Sequence, residues 1–292
     1  MIPNISYIRP LSLSGALETL SRSTGEIKAL AGGTDIIPGL QQNSARFREI
    51  KCVVDISGLP ELSGIRLQDD RLQIGAAVTF SLIKSDQLIR RHFPLLCEMS
   101  GKIGSEQIRN RATIGGNFIN NAPCADSVPV LLVYNAAVHL RSWNAQREMP
   151  LEEFLLKPYS TRLQPQELVT HISLPLLPQS FKGEFYKLGR RRAVNISRIS
   201  LAMLLDQHEQ TIRELRLAGG AVTPIGQRFH EIEMQAAGQN INDRRLREIA
   251  IQTGAQALEI TGLRWSSEYK LPVLQQVFYQ ILYRLCDLRP EK

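Results

Sequence analysis

Two glycine doublets hold the residues whose types and spacing could do chemistry. One is Leu30-Ala31-Gly32-Gly33-Thr34-Asp35; the other is Thr113-Ile114-Gly115-Gly116-Asn117, which runs on to Asp126. Each lies where an apolar stretch gives way to a turn. Glycine lacks a Cβ, so backbone there can take positive φ, approach a ligand closely and offer N–H groups to an anion. Two such loops in one domain predict a clamp around a diphosphate, and hence a bound nucleotide cofactor. Read singly, Gly32-Gly33 is also a plain strand-to-helix turn, and Asp126 is also a helix N-cap. Neither doublet is a GxGxxG or a GxxxxGK[ST], so two common nucleotide fingerprints are absent.

The surrounding elements would position these loops. Leu13, Ala16, Leu17 and Leu20 follow the 3.6-residue period behind the capping candidates Ser12 and Ser14, which predicts a first helix. Ile27 to Ala31 reads as a strand entering the first doublet. Thr34 or Asp35 is placed to cap a brief helix containing Pro38, and Cys52 to Ile56 closes a compact βαβ unit. Residues 64–67 and 71–75 flank Asp69-Asp70 as a hairpin. Thr79 opens a helix carrying Leu82, Ile83 and Ile89, and another runs from Phe93 to Met99 with Pro94 at its start. Past the second doublet, Val130 to Tyr134 predicts a buried helix, and Ala137 to Arg141 and Leu168 to Leu174 predict strands. Two prolines punctuate 174–180, the expected domain boundary. Beyond it, residues 185–188, 199–205 and 212–217 suggest an antiparallel sheet followed by two or three helices. In the last helix Leu274, Val277, Phe278, Ile281, Leu282 and Leu285 keep an apolar stripe.

Composition removes several classes. The 292 residues are 43% hydrophobic and 22% charged, as in ordinary globular proteins, and the length suits two domains. The net charge of +7 is dispersed and aromatics are only 6%, which argues against a nucleic-acid partner. The densest basic run, Arg190-Arg191-Arg192 with Arg198 beyond it, fits a solvated face or an anion contact. No apolar run approaches a membrane span, and the N-terminus has no secretory pattern, so a cytoplasmic protein is expected. Cys52, Cys97, Cys124 and Cys286 are scattered without CxxC spacing, which predicts neither a metal site nor a protein-held cluster. The five histidines show no pairing in sequence.

The ordered set of motifs resembles the FAD-binding subunit of the molybdenum hydroxylases, the xanthine dehydrogenase and carbon monoxide dehydrogenase flavoproteins. The family's AGGTD and TIGGN loops are similar to Ala31 to Asp35 and Thr113 to Asn117, with Ile108-Arg109-Asn110 before the second. Leu217 to Pro224 resembles its L-x-G-x-x-x-x-P strand and turn, and Ser266-Ser267-Glu268-Tyr269-Lys270 resembles its approach to the terminal helix. The resemblance spans nearly the whole chain. It implies an α+β fold: an FAD-binding domain of the vanillyl-alcohol-oxidase (PCMH) type at 1–176, then a smaller sheet-plus-helices C-terminal domain at 177–292.

The resemblance also implies residue roles. Ala29, Leu30, Ala31, Gly32, Gly33, Thr34, Asp35 and Ile36 would wrap the diphosphate, with the Thr34 hydroxyl as a further donor. Thr113, Ile114, Gly115, Gly116 and Asn117 would form a second wall, and Asn120 would reach the cofactor. Asp126 would accept from a ribitol or ribose hydroxyl, and Leu168 would pack on a ring. Tyr186 and Lys187 would form an aromatic–lysine pair beside the cofactor. Lys187 taken alone is simply a solvated strand residue. The four-cysteine loop that some relatives insert in the hairpin region is missing here, and the basic stretch at 190–192 with Asn195-Ile196-Ser197 replaces the more acidic one of many relatives. It suits a dinucleotide's phosphates or an acidic partner subunit.

On this reading no side chain does acid–base catalysis. The chain would pass electrons from a two-iron two-sulfur subunit to NAD or another acceptor, after a molybdenum subunit hydroxylates the substrate, in a dimer of heterotrimers. Two other readings remain: a self-sufficient flavin oxidase or reductase, and a nucleotide-binding scaffold without turnover.

Overall fold

The first glycine doublet lies at the carboxyl end of a strand in a small parallel sheet. The computed structural model describes residues 3–191 and 194–288, so Arg192 of the basic run lies outside the described residues. Strand β1 (Ser6–Ile8) precedes helix α1 (Leu13–Ser21), whose Ser12 hydroxyl accepts from the Gly15 amide at 3.2 Å. The expected stripe Leu13, Ala16, Leu17 and Leu20 is buried. Then come β2 (Ile27–Leu30), α2 (Ile36–Gln41) and β3 (Cys52–Asp55). β3 lies between β1 and β2 and is parallel to both, which makes the βαβ unit.

A second unit surrounds an antiparallel sheet. β4 (Ile65–Gln68) and β5 (Arg71–Gly75) form the hairpin, turning at Asp69 with φ +54°. Six helices follow: α3 (Phe80–Ser85), α4 (Gln87–His92), α5 (Pro94–Lys102), α6 (Glu106–Arg109), α7 (Ile114–Asn120) and α8 (Ser127–Val133). Next are β6 (Ala137–Arg141), β7 (Gln146–Pro150), α9 (Leu151–Phe154), β8 (Leu155–Lys157), β9 (Ser160–Thr161) and β10 (Leu168–Pro175). The five-stranded order is β4-β5-β10-β6-β7. The helix expected to carry both Leu82 and Ile89 is two helices. Asp86 ends α3, and its carboxylate accepts from the Ile89 amide at 3.0 Å to start α4, so Leu82 is left exposed.

The C-terminal domain is a second antiparallel sheet: β11 (Lys182–Gly189), β12 (Ser197–His208), β13 (Thr211–Gly220) and β14 (Gln227–Arg228). Helices α10 (His230–Ala236), α11 (Asp243–Thr261) and α12 (Ser267–Leu285) cover one face. Strand alternation sends Ile199, Leu201, Met203 and Leu205 into that helical core. Ala202 and Leu204 point the other way, into the core of the first domain with α8. The fit there is close: a Cβ on Gly226 would stand 2.6 Å from Val128, and one on Gly220 2.9 Å from Pro129. One sheet therefore serves two cores. Among the described residues no helix is long and apolar enough to cross a membrane.

The structure also pairs two histidines that sequence spacing left scattered. His139 on β6 and His171 on β10 stack with ring centroids 3.9 Å apart and planes 13° apart. Burial, then the neighbouring His139 and Arg66, push the His171 imidazole down to about 4. Burial and Arg71 lower His139 too, against Glu148 on β7, and Ser173 bonds its Nε2 at 2.8 Å. A folded pKa below the unfolded 6.5 means the unfolded chain binds the extra proton first. Stability is therefore full above pH 6.5 and is lost as pH falls toward about 4. Urea midpoints measured at pH 7 and pH 5 should show a smaller acid loss in His171→Gln than in the parent protein.

Candidate functional site

A cavity of about 520 Å³ opens where the three-stranded sheet meets α7 and β10, and both glycine loops line it. The volume lies in the range of cofactor and small-molecule sites. The first loop runs past the carboxyl end of β2 and turns at Gly33, φ +73°. Its two glycines have different reasons. Gly33 supplies the left-handed backbone, whereas Gly32 supplies contact: a Cβ there would lie 2.0 Å from the Arg111 carbonyl oxygen. The loops thus touch backbone to backbone, and no side chain fits between them.

The two loops differ in what they can offer a ligand. In the second, the Ile114 and Gly115 amides donate to the Val78 and Ala76 carbonyls at 2.9 and 3.0 Å. The Gly116 amide donates to the Thr113 hydroxyl at 3.1 Å, and the Asn117 amide donates to the Thr113 carbonyl at 3.1 Å. That loop is already satisfied, with Thr113 acting as the α7 N-cap. In the first loop, the amides of Gly32, Gly33, Thr34, Asp35 and Ile36 find no acceptor among the described residues. Asp35 sits at the α2 N-cap position but makes no capping bond; its carboxylate accepts instead from Asn120 Nδ2 at 3.1 Å. Five free amides around a left-handed glycine fit a diphosphate. The second loop contributes the Thr113, Asn117 and Asn120 side chains and a close-packed wall rather than an amide cradle.

Of the residues singled out from sequence, Ala29, Ala31, Gly32, Gly33, Thr34, Asp35, Ile36, Thr113, Gly115, Gly116, Asn117, Asn120 and Leu168 line the cavity. Leu30 and Ile114 do not: Leu30 packs with Leu40, Ile50 and Val53, and Ile114 is in the main core. Tyr186 and Lys187 cannot both face the same ligand, because adjacent strand residues point to opposite faces. Tyr186 packs on the C-terminal core. Lys187 is neither solvated nor in the cavity wall; its ammonium donates to Asp126 Oδ2 at 2.6 Å and to the Lys102 carbonyl at 3.0 Å. Asp126 makes no capping bond to α8, and its other oxygen accepts from the Ser197 hydroxyl at 2.5 Å. This pair ties the loop after α7 to β11 and β12. Burial, reinforced by Asp126, pushes the neighbouring Cys124 thiol up, so a ready thiolate is absent there.

Residues that sequence reasoning missed complete the lining: Arg46, Phe47, Tyr159, Gln164 and Glu167 among them. They come from irregular segments with no motif, and only the fold brings them together. Burial pushes the Glu167 carboxyl up, but the Arg147 guanidinium, with contacts of 2.6 and 2.7 Å, and the Gln164 amide outweigh it and hold the group below its usual range.

The Lys187 and Asp126 side chains are only 7% and 5% exposed, so removing one partner leaves a buried charge. Lys187→Met should lower stability by about 3–5 kcal/mol. The double variant with Asp126→Leu should recover most of that loss in urea denaturation.

Comparisons with known proteins cover nearly the whole chain. The chain matches the family model described as the FAD binding domain in molybdopterin dehydrogenase over residues 3–177. It matches that of the CO dehydrogenase flavoprotein C-terminal domain over residues 184–285. It is 33% identical over 279 residues to the xanthine dehydrogenase FAD-binding subunit of Escherichia coli O157:H7, covering 95% of this chain and 94% of that one. It is 31% identical to the glyceraldehyde dehydrogenase medium chain of Sulfolobus acidocaldarius, covering 94% and 95%. In fold it matches carbon monoxide dehydrogenase from Hydrogenophaga pseudoflava with a TM-score of 0.90 at 24% identity, covering 98% and 99% of the two chains. A cradle of free amides in a two-domain α+β frame, matched along its length, places this chain in the family of FAD-binding flavoprotein subunits of the molybdenum hydroxylases, and its cofactor is FAD.

Proposed function

We propose that the chain is the electron-transfer subunit of a cytoplasmic molybdenum hydroxylase complex. Its partners on this reading are a two-iron two-sulfur subunit, which supplies electrons, and a molybdenum-cofactor subunit, which hydroxylates the substrate; NAD or another acceptor takes the electrons on. When bound, FAD supplies the exchange between one-electron and two-electron transfer. The chain's own residues bind and orient. The free amides of Gly32 to Ile36 hold the diphosphate, and Thr113, Asn117, Asn120 and Leu168 shape the rest of the site. We place the boundary between the two functional halves at 176/177, just past β10.

One observation carries the reading: residues with a row of unbonded amides line a cavity whose described lining includes no histidine and no cysteine. A self-sufficient oxidase would need a base beside the flavin, and the stacked pair His139–His171 does not line the cavity. The lining's carboxylates and its tyrosine, bases by type, are each engaged: Glu167 by Arg147, Asp35 by Asn120, and the Tyr159 ring by the Arg46 guanidinium stacked on it.

Expressed alone, the chain should purify yellow and release FAD on denaturation. Coexpressed with genomic neighbours, it should copurify with an iron–sulfur and a molybdenum protein; a yellow chain that associates with neither refutes the subunit reading. The two glycine loops should respond unequally to substitution. Gly33→Val places a β-branched residue at φ +73° and should abolish FAD retention, with the far-ultraviolet circular dichroism unchanged. At Gly116 a Cβ meets only the Thr113 hydroxyl, at 3.0 Å, so Gly116→Ala should retain most of the flavin absorbance.

A further inference from the structure

The cradle of free amides is uncharged, whereas a diphosphate carries net negative charge. One cation of the cavity wall is held ready to meet it. Arg46 lies in the connection between α2 and β3, and its side chain lines the cavity. Its guanidinium carbon stands 3.9 Å from the Tyr159 ring centroid and 4.8 Å from that of Phe47. One guanidinium nitrogen donates to Asn120 Oδ1, and Asn120 donates in turn to Asp35 at 3.1 Å. A polar chain therefore links Arg46 through the end of α7 to the amide cradle. Asn120 accepts from the cation and donates to the carboxylate, so Asp35 does not take Arg46 as its own counterion. The charge of Arg46 faces a neutral amide and remains available to a ligand.

The platform under Arg46 is built, not incidental. A Cβ on Gly39 would stand 2.1 Å from the Phe47 ring, so α2 seats that ring only because glycine is there. Tyr159 holds φ +61° in the tight turn between β8 and β9. Its amide donates to the Asn121 carbonyl at 3.0 Å. The buried Asn121 side chain donates to the Lys157 and Ser160 carbonyls at 2.9 and 3.0 Å, which pins the turn to the end of α7. Lys28 also lines the cavity, but no side-chain hydrogen bond holds it among the described residues. Stacking of a planar guanidinium on aromatic rings fixes its plane and leaves its edge donors free.

We propose that Arg46 is the cationic phosphate contact of this site, pre-oriented by Tyr159 and Phe47 and linked through Asn120 to the Asp35 carboxylate beside the Gly32–Ile36 amides. The inference rests on FAD as the ligand. It adds a charge-assisted, forked contact to the neutral donors of the amide cradle. Tyr159 and Asn120 act on it as positioning residues.

The test is FAD titration of the full-length apoprotein, followed by quenching of flavin fluorescence over a series of salt concentrations. The proteins compared are the parent, Arg46→Met and Arg46→Lys. Arg46→Met keeps a long apolar stem and should weaken binding at low salt by roughly tenfold, the lower end for a charge-assisted hydrogen bond. The gap should narrow as salt screens the lost charge. Arg46→Lys should keep the parent's salt slope with intermediate affinity, and Tyr159→Leu should move affinity in the same direction as Arg46→Met by a smaller factor. An unchanged affinity in Arg46→Met overturns the proposal. So does a loss of equal size at every salt concentration, which would make the side chain an apolar strap. A parent chain that binds no FAD at any salt refutes the cofactor reading together with the role of Arg46.

Discussion

The contact between the Gly32 backbone and the Arg111 carbonyl governs the site. The cavity exists because a three-stranded parallel unit and a five-stranded antiparallel unit meet with no side chain between them at that point. A Cβ at Gly32 would sit 2.0 Å from the opposing oxygen, so any other residue would push the two units apart. Once they meet, the loop after β2 cannot bond its amides to the sheet it has left, nor to α7, whose first-turn amides are already occupied by Val78, Ala76 and Thr113. The amides of Gly32 to Ile36 are left without an acceptor among the described residues, in a loop that lines the cavity. An anion is the natural partner for such a row, because partly exposed N–H groups would otherwise be satisfied only by water.

A second interface holds the C-terminal domain against this site. α8 lies on the face of the second sheet where Ala202, Leu204 and Ala218 are small or interleaved enough to admit it. Gly220 and Gly226 bring the backbone close to Pro129 and Val128. Beside it, the Asp126–Lys187 pair with Ser197 closes a polar link across the two domains. Such a buried pair contributes little net stability over an apolar contact but is strongly selective for one arrangement, because either charge alone would be stranded. The domains are therefore fixed relative to each other by shape along α8 and by charge at its N-terminal end.

Much of this was legible in the chain. The capped helix at Ser12, the hairpin at Asp69 and the terminal stripe from Leu274 to Leu285 follow from local periodicity and turn chemistry, which act over a few residues. The glycine doublets signalled backbone approach correctly, and the ordered motifs identified the family. The equivalence of the two loops was not legible. TIGGN and AGGTD look alike as sequences, yet one has its amides bonded and the other does not, since the acceptors at Val78 and Ala76 lie more than thirty residues away in the chain. Likewise, Tyr186 and Lys187 are adjacent in sequence but point to opposite faces of β11.

The sequence by itself determined the principal helices and strands and their order, the two close-approach glycine loops and the flavoprotein family, because each is encoded by neighbouring residues. Only the tertiary structure decided which loop carries free amides and that Asp126 meets Lys187 rather than capping α8. It also decided that His139 and His171 stack and that Arg46 reaches Tyr159 across more than a hundred residues. Those outcomes depend on which groups arrive opposite one another once the sheets are packed. Hydrogen-bond donors and charges are satisfied by whatever lies within about 3 Å, and local sequence does not specify what that will be.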